Sequence, residues 1–256
     1  MSDLRDRVVV VTGASRGIGK GLALGLAEQG AKVVCAARSL TNPVEGIGGT
    51  VNDTANAITD AGGTALAVQC DIGQADDITR LVDATVSEFG RIDSLINNAT
   101  TPTHASFDAS TVDDWDTSMR VNVRCIYLFA KAVVPHMAMQ GGGSIVNMSS
   151  HGAMHESQPY MPAGYSIYSV AKAAIERFTT ALAPELAPLA ITVNALRPGA
   201  VKTEGTLAEY GEDHDWTGWS EPAAVVPAIS FLAAQIGTDF TGRVLDVAGF
   251  GVSWPE

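Results

Sequence analysis

The sequence has no apolar run long enough to cross a membrane, no internal repeat and no linker-like stretch. A spanning helix needs about 20 consecutive apolar residues, so a membrane protein of that kind is not expected. Charge is sparse at 17%, and cations are the scarcer kind: 16 Lys+Arg against 28 Asp+Glu give a net charge of −12. That balance argues against nucleic acid as a partner, because phosphate backbones require a basic face. Small anionic ligands stay open, since an acidic exterior can still hold a local cationic pocket. Only three cysteines are present, Cys35, Cys70 and Cys125. They are odd in number and far apart, which suits neither a disulfide frame nor a zinc site. They read as reduced thiols in or near the core. His151 and His155 lie four apart without a third ligand at metal-site spacing, so they read as loop residues and no metal is expected. The first seven residues lack the basic-then-apolar layout of a secretion signal, which predicts a cytoplasmic protein.

What is abundant is apolar sequence, 46% of 256 residues, enough for one domain over 1–256 with a substantial core. Short apolar runs alternate with longer helical patterns. The runs are Val8–Val11, Lys32–Ala36, Thr64–Gln69, Ser94–Asn97, Ser144–Met148, Ile191–Leu196 and Arg243–Val247. Near-continuous apolar strands suit a sheet buried on both faces. Helical patterns cover roughly Gly17–Gln29, Val51–Ala61, Ala75–Phe89, Thr111–Met139, Ser166–Leu186 and Pro222–Ala234. This alternation predicts an α/β fold with a doubly wound parallel sheet of about seven strands and helices on both faces. Thr41–Gly49 reads as an inserted loop, and 200–220 as an irregular lid. Pro184 is expected to bend or end its helix.

Thr12-Gly13-Ala14-Ser15-Arg16-Gly17-Ile18-Gly19 joins the first strand to the first helix. Its glycines permit a tight turn and a close approach to a pyrophosphate, and the helix N-terminus offers free N–H groups and a positive dipole end. A plain structural turn is the competing reading. The second strand ends Cys35-Ala36-Ala37-Arg38, without the carboxylate that would bind the 2′-hydroxyl of NAD. Arg38 and Arg16 can instead pair with a 2′-phosphate, which favours NADP(H) over NAD(H). The alternative is that both are solvated surface arginines.

Tyr168 and Lys172 are one helical turn apart in Tyr-Ser-Val-Ala-Lys. A neighbouring ammonium favours a phenolate, which predicts a lowered Tyr168 pKa and a phenol able to exchange protons with a carbonyl oxygen. Tyr127 and Lys131 repeat the spacing, but past the middle of a long helical pattern with no strand-end serine just before it. Tyr127 lies among Ile126, Leu128 and Phe129, so a packing role is expected. Tyr168 instead follows Ser149-Ser150 at a strand end, where open parallel sheets bind ligands. Tyr160 and Tyr165 have no lysine four residues on.

Together these motifs resemble the short-chain dehydrogenase/reductase family from about Val8 to Gly249. The glycine motif matches Thr12-Gly13 through Gly17-Ile18-Gly19. The adenine-side acid matches Asp71, followed by Ile72. The Asn-Asn-Ala-Gly motif matches Asn97-Asn98-Ala99-Thr100, the helix-borne Asn matches Asn122, and the strand-end Ser matches Ser150. Tyr168, Lys172, Pro198-Gly199 and Thr203 complete the set. The resemblance implies cofactor contacts from Gly13, Ser15, Arg16, Gly17, Ile18, Gly19, Arg38, Asp71, Ile72, Asn98, Tyr168, Lys172, Pro198, Gly199, Val201 and Thr203. It implies that Asn122, Ser150, Tyr168 and Lys172 are catalytic, that Lys172 also holds the nicotinamide ribose, and that Asn122 anchors a water linking Lys172 to solvent. An ordinary hydrogen-bonded Asn is the plainer alternative for Asn122. A homotetramer or dimer is implied as well.

Three features depart from the family pattern. Thr100 replaces a glycine, Ser150 lies eighteen residues before Tyr168 with an added segment 155–164, and Arg197 precedes the Pro-Gly turn. Ser149 rivals Ser150 because of the longer gap. The expected function is an NADP(H)-dependent oxidoreductase that interconverts a small ketone or aldehyde with an alcohol. The alternatives are a catalytically silent nucleotide-binding protein and dehydration or epimerisation on the same fold. Candidate substrate walls are 100–104, 151–165 and 201–219, with Met154, Tyr160, Met161, Tyr165, Trp216 and Trp219 suggesting an apolar or aromatic substrate. These residues could equally cover the core.

Overall fold

The computed structural model describes residues 4–43, 47–155 and 163–255. Seven strands form one parallel sheet in the order β3-β2-β1-β4-β5-β6-β7: β1 Val8–Thr12, β2 Lys32–Ala37, β3 Thr64–Gln69, β4 Ser94–Asn97, β5 Gly143–Met148, β6 Ile191–Arg197 and β7 Val244–Asp246. The β-branched run of β1 is buried along its whole length because the sheet is covered on both sides. Successive side chains point to opposite faces. Val9 and Val11 therefore pack with Val33, Ile96 and Val146 in one core, while Val8 and Val10 pack with Val34, Leu95 and Ile145 in the other.

The first core is closed by α1 Gly17–Glu28, α2 Val51–Asp60 and α8 Val226–Ala234, through Leu22, Leu26, Ile58 and Ile229. The second is closed by α3 Ala75–Phe89, α5 Cys125–Met139 and α6 Ser166–Leu186, through Leu81, Phe129, Val133 and Ile175. All three cysteines are buried free thiols, each pushed up to about 12, chiefly by loss of hydration. No helix among the described residues is long and apolar enough to cross a membrane.

Several expectations are corrected. The pattern 111–139 is not one α-helix: α4 Val112–Ser118 and α5 flank a π-helical segment, Met119–Arg124. The wider turn holds Asn122, whose side chain bonds outward to the loop after β4. The lid 200–220 is not wholly irregular, since it contains α7, Glu204–Tyr210. Thr203 caps that helix by accepting from the Thr206 amide, and Thr206 reciprocates toward the Thr203 amide. Pro184 lies inside the last turn of α6, which ends two residues later at Leu186. Tyr127 is not packed in the interior: it is 52% exposed and meets Phe178 edge-on.

Candidate active site

The chain crosses from one side of the sheet to the other between β1 and β4, which are neighbours in the sheet but far apart in sequence. Such switch points open a crevice at the carboxyl ends of the strands. Here the crevice is a cavity of about 350 Å³. Gly13, Ser15, Arg16, Gly17, Ile18, Gly19, Arg38, Asp71, Ile72, Asn98 and Thr203 all line it. Tyr168, Lys172, Pro198, Gly199 and Val201 do not. Gly199 forms a turn at φ +78°, and Val201 is buried and bridges to Ser220. Ser39, Thr117 and Arg120 also line the cavity and were not anticipated. Only Ser39 carried a sequence signal, its place directly after Arg38.

The glycine turn fits a dinucleotide on two grounds. A Cβ at Gly19 would fall 2.1 Å from the Gly13 carbonyl oxygen, and Gly13 and Gly17 have φ of +71° and +57°. The turn therefore tolerates no side chain at Gly19 and favours glycine at the other two positions. At the start of α1 the Gly17 amide donates to the Glu204 carboxylate at 2.8 Å. An anion thus already occupies the helix N-terminus, as the dipole and the open N–H groups favour. Asn98 plays a structural part: its amide nitrogen donates to the Thr12 carbonyl at 2.8 Å and ties the ends of β1 and β4 together.

Three of the groups expected to be catalytic, Ser150, Tyr168 and Lys172, lie just after β5 and in the first turns of α6, whereas Asn122 lies in the π-helical segment. Asn147 at the end of β5 accepts from Asn97 and donates to Thr179, which pins α6 to the sheet. The two serines are separated by their partners. Ser149 donates to Glu176 at 2.6 Å and is 3% exposed. Ser150 is not tied to Glu176: its hydroxyl accepts from the Gly152 amide at 3.2 Å and pulls the Tyr168 pKa downward. Glu176 is held in turn by a bidentate pair to Arg197, both contacts at 2.7 Å, and Arg197 also reaches Asp246. Arg197, the cation before the Pro-Gly turn, is therefore tied into a network that anchors Ser149 next to Ser150.

Lys172 is 3% exposed and donates to the Met148 carbonyl at 2.9 Å. Its ammonium lies over the Tyr168 ring, 5.4 Å from the centroid. Burial lowers its pKa from 10.5 to about 8. The Tyr168 pKa is raised, contrary to expectation, mainly by loss of hydration and further by the nearby Glu209 and Tyr210; the Ser150 hydroxyl opposes this. The lysine faces the ring and a carbonyl, and burial is the dominant influence on the phenol.

Asn122 accepts from the Thr100 hydroxyl at 2.8 Å and the Thr101 amide at 2.9 Å, and donates to the Thr101 carbonyl and to Ser118. Its side chain is thus fully engaged in holding the loop after β4. The departure at Thr100 supplies one of these bonds. Most of the added segment, 156–162 with Tyr160 and Met161, lies outside the described residues. Tyr165 stands at the start of α6, edge-on to Tyr168 at 6.0 Å. Trp216 and Trp219 cluster with Tyr210 and His214 on the lid. His151 contacts Asp246 at 2.9 Å.

Comparison with known proteins agrees with this architecture. A family model described as short chain dehydrogenase matches residues 7–213. A 3-oxoacyl-[acyl-carrier-protein] reductase of Synechocystis sp. is 34% identical, over 92% of this chain and 96% of the relative. A probable tetrahydroxynaphthalene reductase of Zymoseptoria tritici is 31% identical, over 97% of this chain and 95% of the relative. Among solved structures, a short-chain type dehydrogenase/reductase from Mycobacterium marinum superposes with a TM-score of 0.83 at 31% identity, covering 95% of this chain and 94% of the other. A putative NAD(P)-dependent gluconate 5-dehydrogenase from Beutenbergia cavernae, with NADP bound at low occupancy, superposes at 0.82 with 29% identity, covering 96% of both chains. With sequence matched over nearly the whole length and the same fold, the chain belongs to the short-chain dehydrogenase/reductase family.

Proposed function

We propose that this oxidoreductase uses NADP(H) to interconvert a small ketone or aldehyde with an alcohol, with Tyr168 as the general acid and base. The observation that carries the reading is the meeting of Ser150, Tyr168 and Lys172 at the end of β5: the Ser150 hydroxyl pulls the Tyr168 pKa downward, and the Lys172 ammonium lies over the same ring. Two hydroxyls converge there, so one substrate oxygen can meet both. Ser150 donates to that oxygen and holds the carbonyl in line. Tyr168 delivers its proton to the oxygen in reduction and recovers it in oxidation. A neutral phenol is the form that donation requires, and burial keeps it neutral. Lys172 would hold the ribose side of a bound nucleotide, and its ammonium would favour the phenolate left behind by proton transfer. When bound, the nicotinamide supplies or accepts the hydride. Asn122 fixes the loop after β4, and any water it anchors must use its main chain, because its side chain is engaged.

Arg16 and Arg38 support NADP(H) over NAD(H). Both line the cavity, and β2 ends without an acid that would repel a 2′-phosphate. Asp71 lines the same cavity and would contact the adenine of a bound nucleotide. Tyr127 and Val170, exposed on α5 and α6, support a homotetramer or dimer, which light scattering would test. The function is tested by mixing the protein with NADPH and a panel of ketones and aldehydes and following loss of the reduced-nicotinamide absorbance. Consumption of NADPH with formation of the alcohol is expected. Tight NADPH binding with no turnover on any carbonyl would refute the reading.

A further inference from the structure

We infer that Glu209 determines substrate charge: the site takes neutral or cationic carbonyl compounds and disfavours those with an anionic group beside the reacting carbon. This rests on the oxidoreductase reading above. Glu209 lies on α7, and three segments meet at its carboxylate. Its Oε1 accepts from the Tyr165 hydroxyl at 2.7 Å and contacts His104 Nδ1 at 2.8 Å. Tyr165 in turn meets the Tyr210 hydroxyl at 2.7 Å, and its ring stands 6.0 Å from Tyr168. The negative charge is thereby fixed close to the proton-transferring phenol, and it adds to the upward push on the Tyr168 pKa.

Among the described residues the cations near Tyr168 are already committed: Lys172, the nearest, is buried with its ammonium on the Met148 carbonyl and the face of the Tyr168 ring. His104 already shares Glu209, and its ring packs on Tyr165 at 4.2 Å. Lys202 lies over Trp216 at 5.2 Å, Arg197 is paired with Glu176, and His151 contacts Asp246. The lid following Thr203 adds Glu204, Glu212, Asp213 and Asp215 to Glu209. An anion entering beside Tyr168 meets a fixed carboxylate in a partly dehydrated site, where like charges repel more strongly than in water. A neutral or cationic group at the same place meets an acceptor.

Benzoylformate and its methyl ester form a suitable pair, because they differ in charge next to the same ketone. The value of kcat/KM with NADPH is measured for both, in the wild type and in Glu209→Gln, which keeps an acceptor for Tyr165. The ester is intrinsically more reactive, but that advantage cancels when the two proteins are compared. The ester-to-anion ratio should fall about tenfold in Glu209→Gln, through a gain on the anion. Raising the salt concentration should narrow the ratio in the wild type and not in the variant. An equal ratio in both proteins, or a wild type that prefers the anion, overturns the inference. Failure of the wild type on both compounds and on every other carbonyl overturns the oxidoreductase reading and this inference with it.

Discussion

Lys172 is a buried cation with one hydrogen-bond partner among the described residues, and replacing it should make the cofactor-free protein more stable while removing its activity. Its pKa falls from 10.5 to about 8 on folding, because the ammonium loses water and gains only the Met148 carbonyl and the face of Tyr168. At about 1.36 kcal/mol per pKa unit, the charged side chain costs about 3 kcal/mol of stability. Lys172→Met keeps the stem and removes the charge. Losing the bond to Met148 costs about 1 kcal/mol, which leaves a net gain of about 2 kcal/mol at neutral pH. For a chain of this size that raises Tm by about 4–8 °C. The folded-state pKa lies below the unfolded one, so the penalty is full below pH 8. It shrinks as pH rises, because the unfolded chain then holds the extra proton, and it vanishes above about 10.5. Calorimetry at fixed protein concentration at pH 7, 8.5 and 10 should therefore show the two proteins converging. A Lys172→Met protein no more stable than wild type at pH 7, or a gap that stays constant with pH, would refute the argument.

Three further outcomes follow from the same geometry. Tyr168→Phe should lower kcat by about 10³-fold while NADPH still binds, since only the proton donor is removed; full turnover would end its role as acid and base. Ser150→Ala should cost about 10²-fold in kcat, whereas Ser149→Ala should keep turnover and lose about 1 kcal/mol of stability, because its hydroxyl serves Glu176. The reverse pattern in parallel kinetics and melting would exchange the two serines. Arg38→Asp should weaken NADPH binding by about 100-fold and favour NADH, read as dissociation constants by nucleotide fluorescence; an unchanged NADPH affinity would remove Arg38 from the 2′-phosphate site.

The sheet was legible in the sequence because its strands are buried on both faces. Val8–Val11 could satisfy two cores at once, and Gly30, Gly62, Gly90 and Gly141 marked where helices ended before β2, β3, β4 and β5. What was hidden depended on side chains bonding across distance. Asn122 reaches Thr100 and Thr101, some twenty residues earlier, and the π segment that allows it has no sequence pattern of its own. α7 was missed because its capping box places Thr206 where glutamate or glutamine is the usual signal. Ser149 and Ser150 could not be told apart by spacing, since the distinction rests on Glu176, one turn beyond Lys172 on α6. The exposure of Tyr127 also depended on which face of α5 meets the sheet, and its flanking Ile126 and Phe129 are the residues buried there.

The spacing of Tyr168 and Lys172 does bring the two side chains together, but the electrostatics differ from expectation, and the reason lies in helical geometry. Residues one turn apart stack along a helix face, so a long lysine chain passes the ring of the tyrosine rather than ending at its hydroxyl. Here the ammonium stops over the ring and turns to the Met148 carbonyl. Burial then moves both groups toward their neutral forms, Tyr168 upward and Lys172 downward. A pair in that state keeps the phenol protonated, so the proton is present for donation but is held more tightly than on a free tyrosine. The pair becomes reversible only if something between phenol and ammonium conveys the lysine's charge, and the hydroxyl-rich ribose of a bound nucleotide has the chemistry to do so. Nucleotide binding should therefore lower the Tyr168 pKa, and the pH at which alcohol oxidation begins should lie below the pH at which Tyr168 of the free protein ionises. Ultraviolet titration of the phenolate with and without NADP⁺, using Tyr168→Phe as the blank, measures both. Coincident titrations would mean that Lys172 serves to hold the nucleotide and does not tune the phenol.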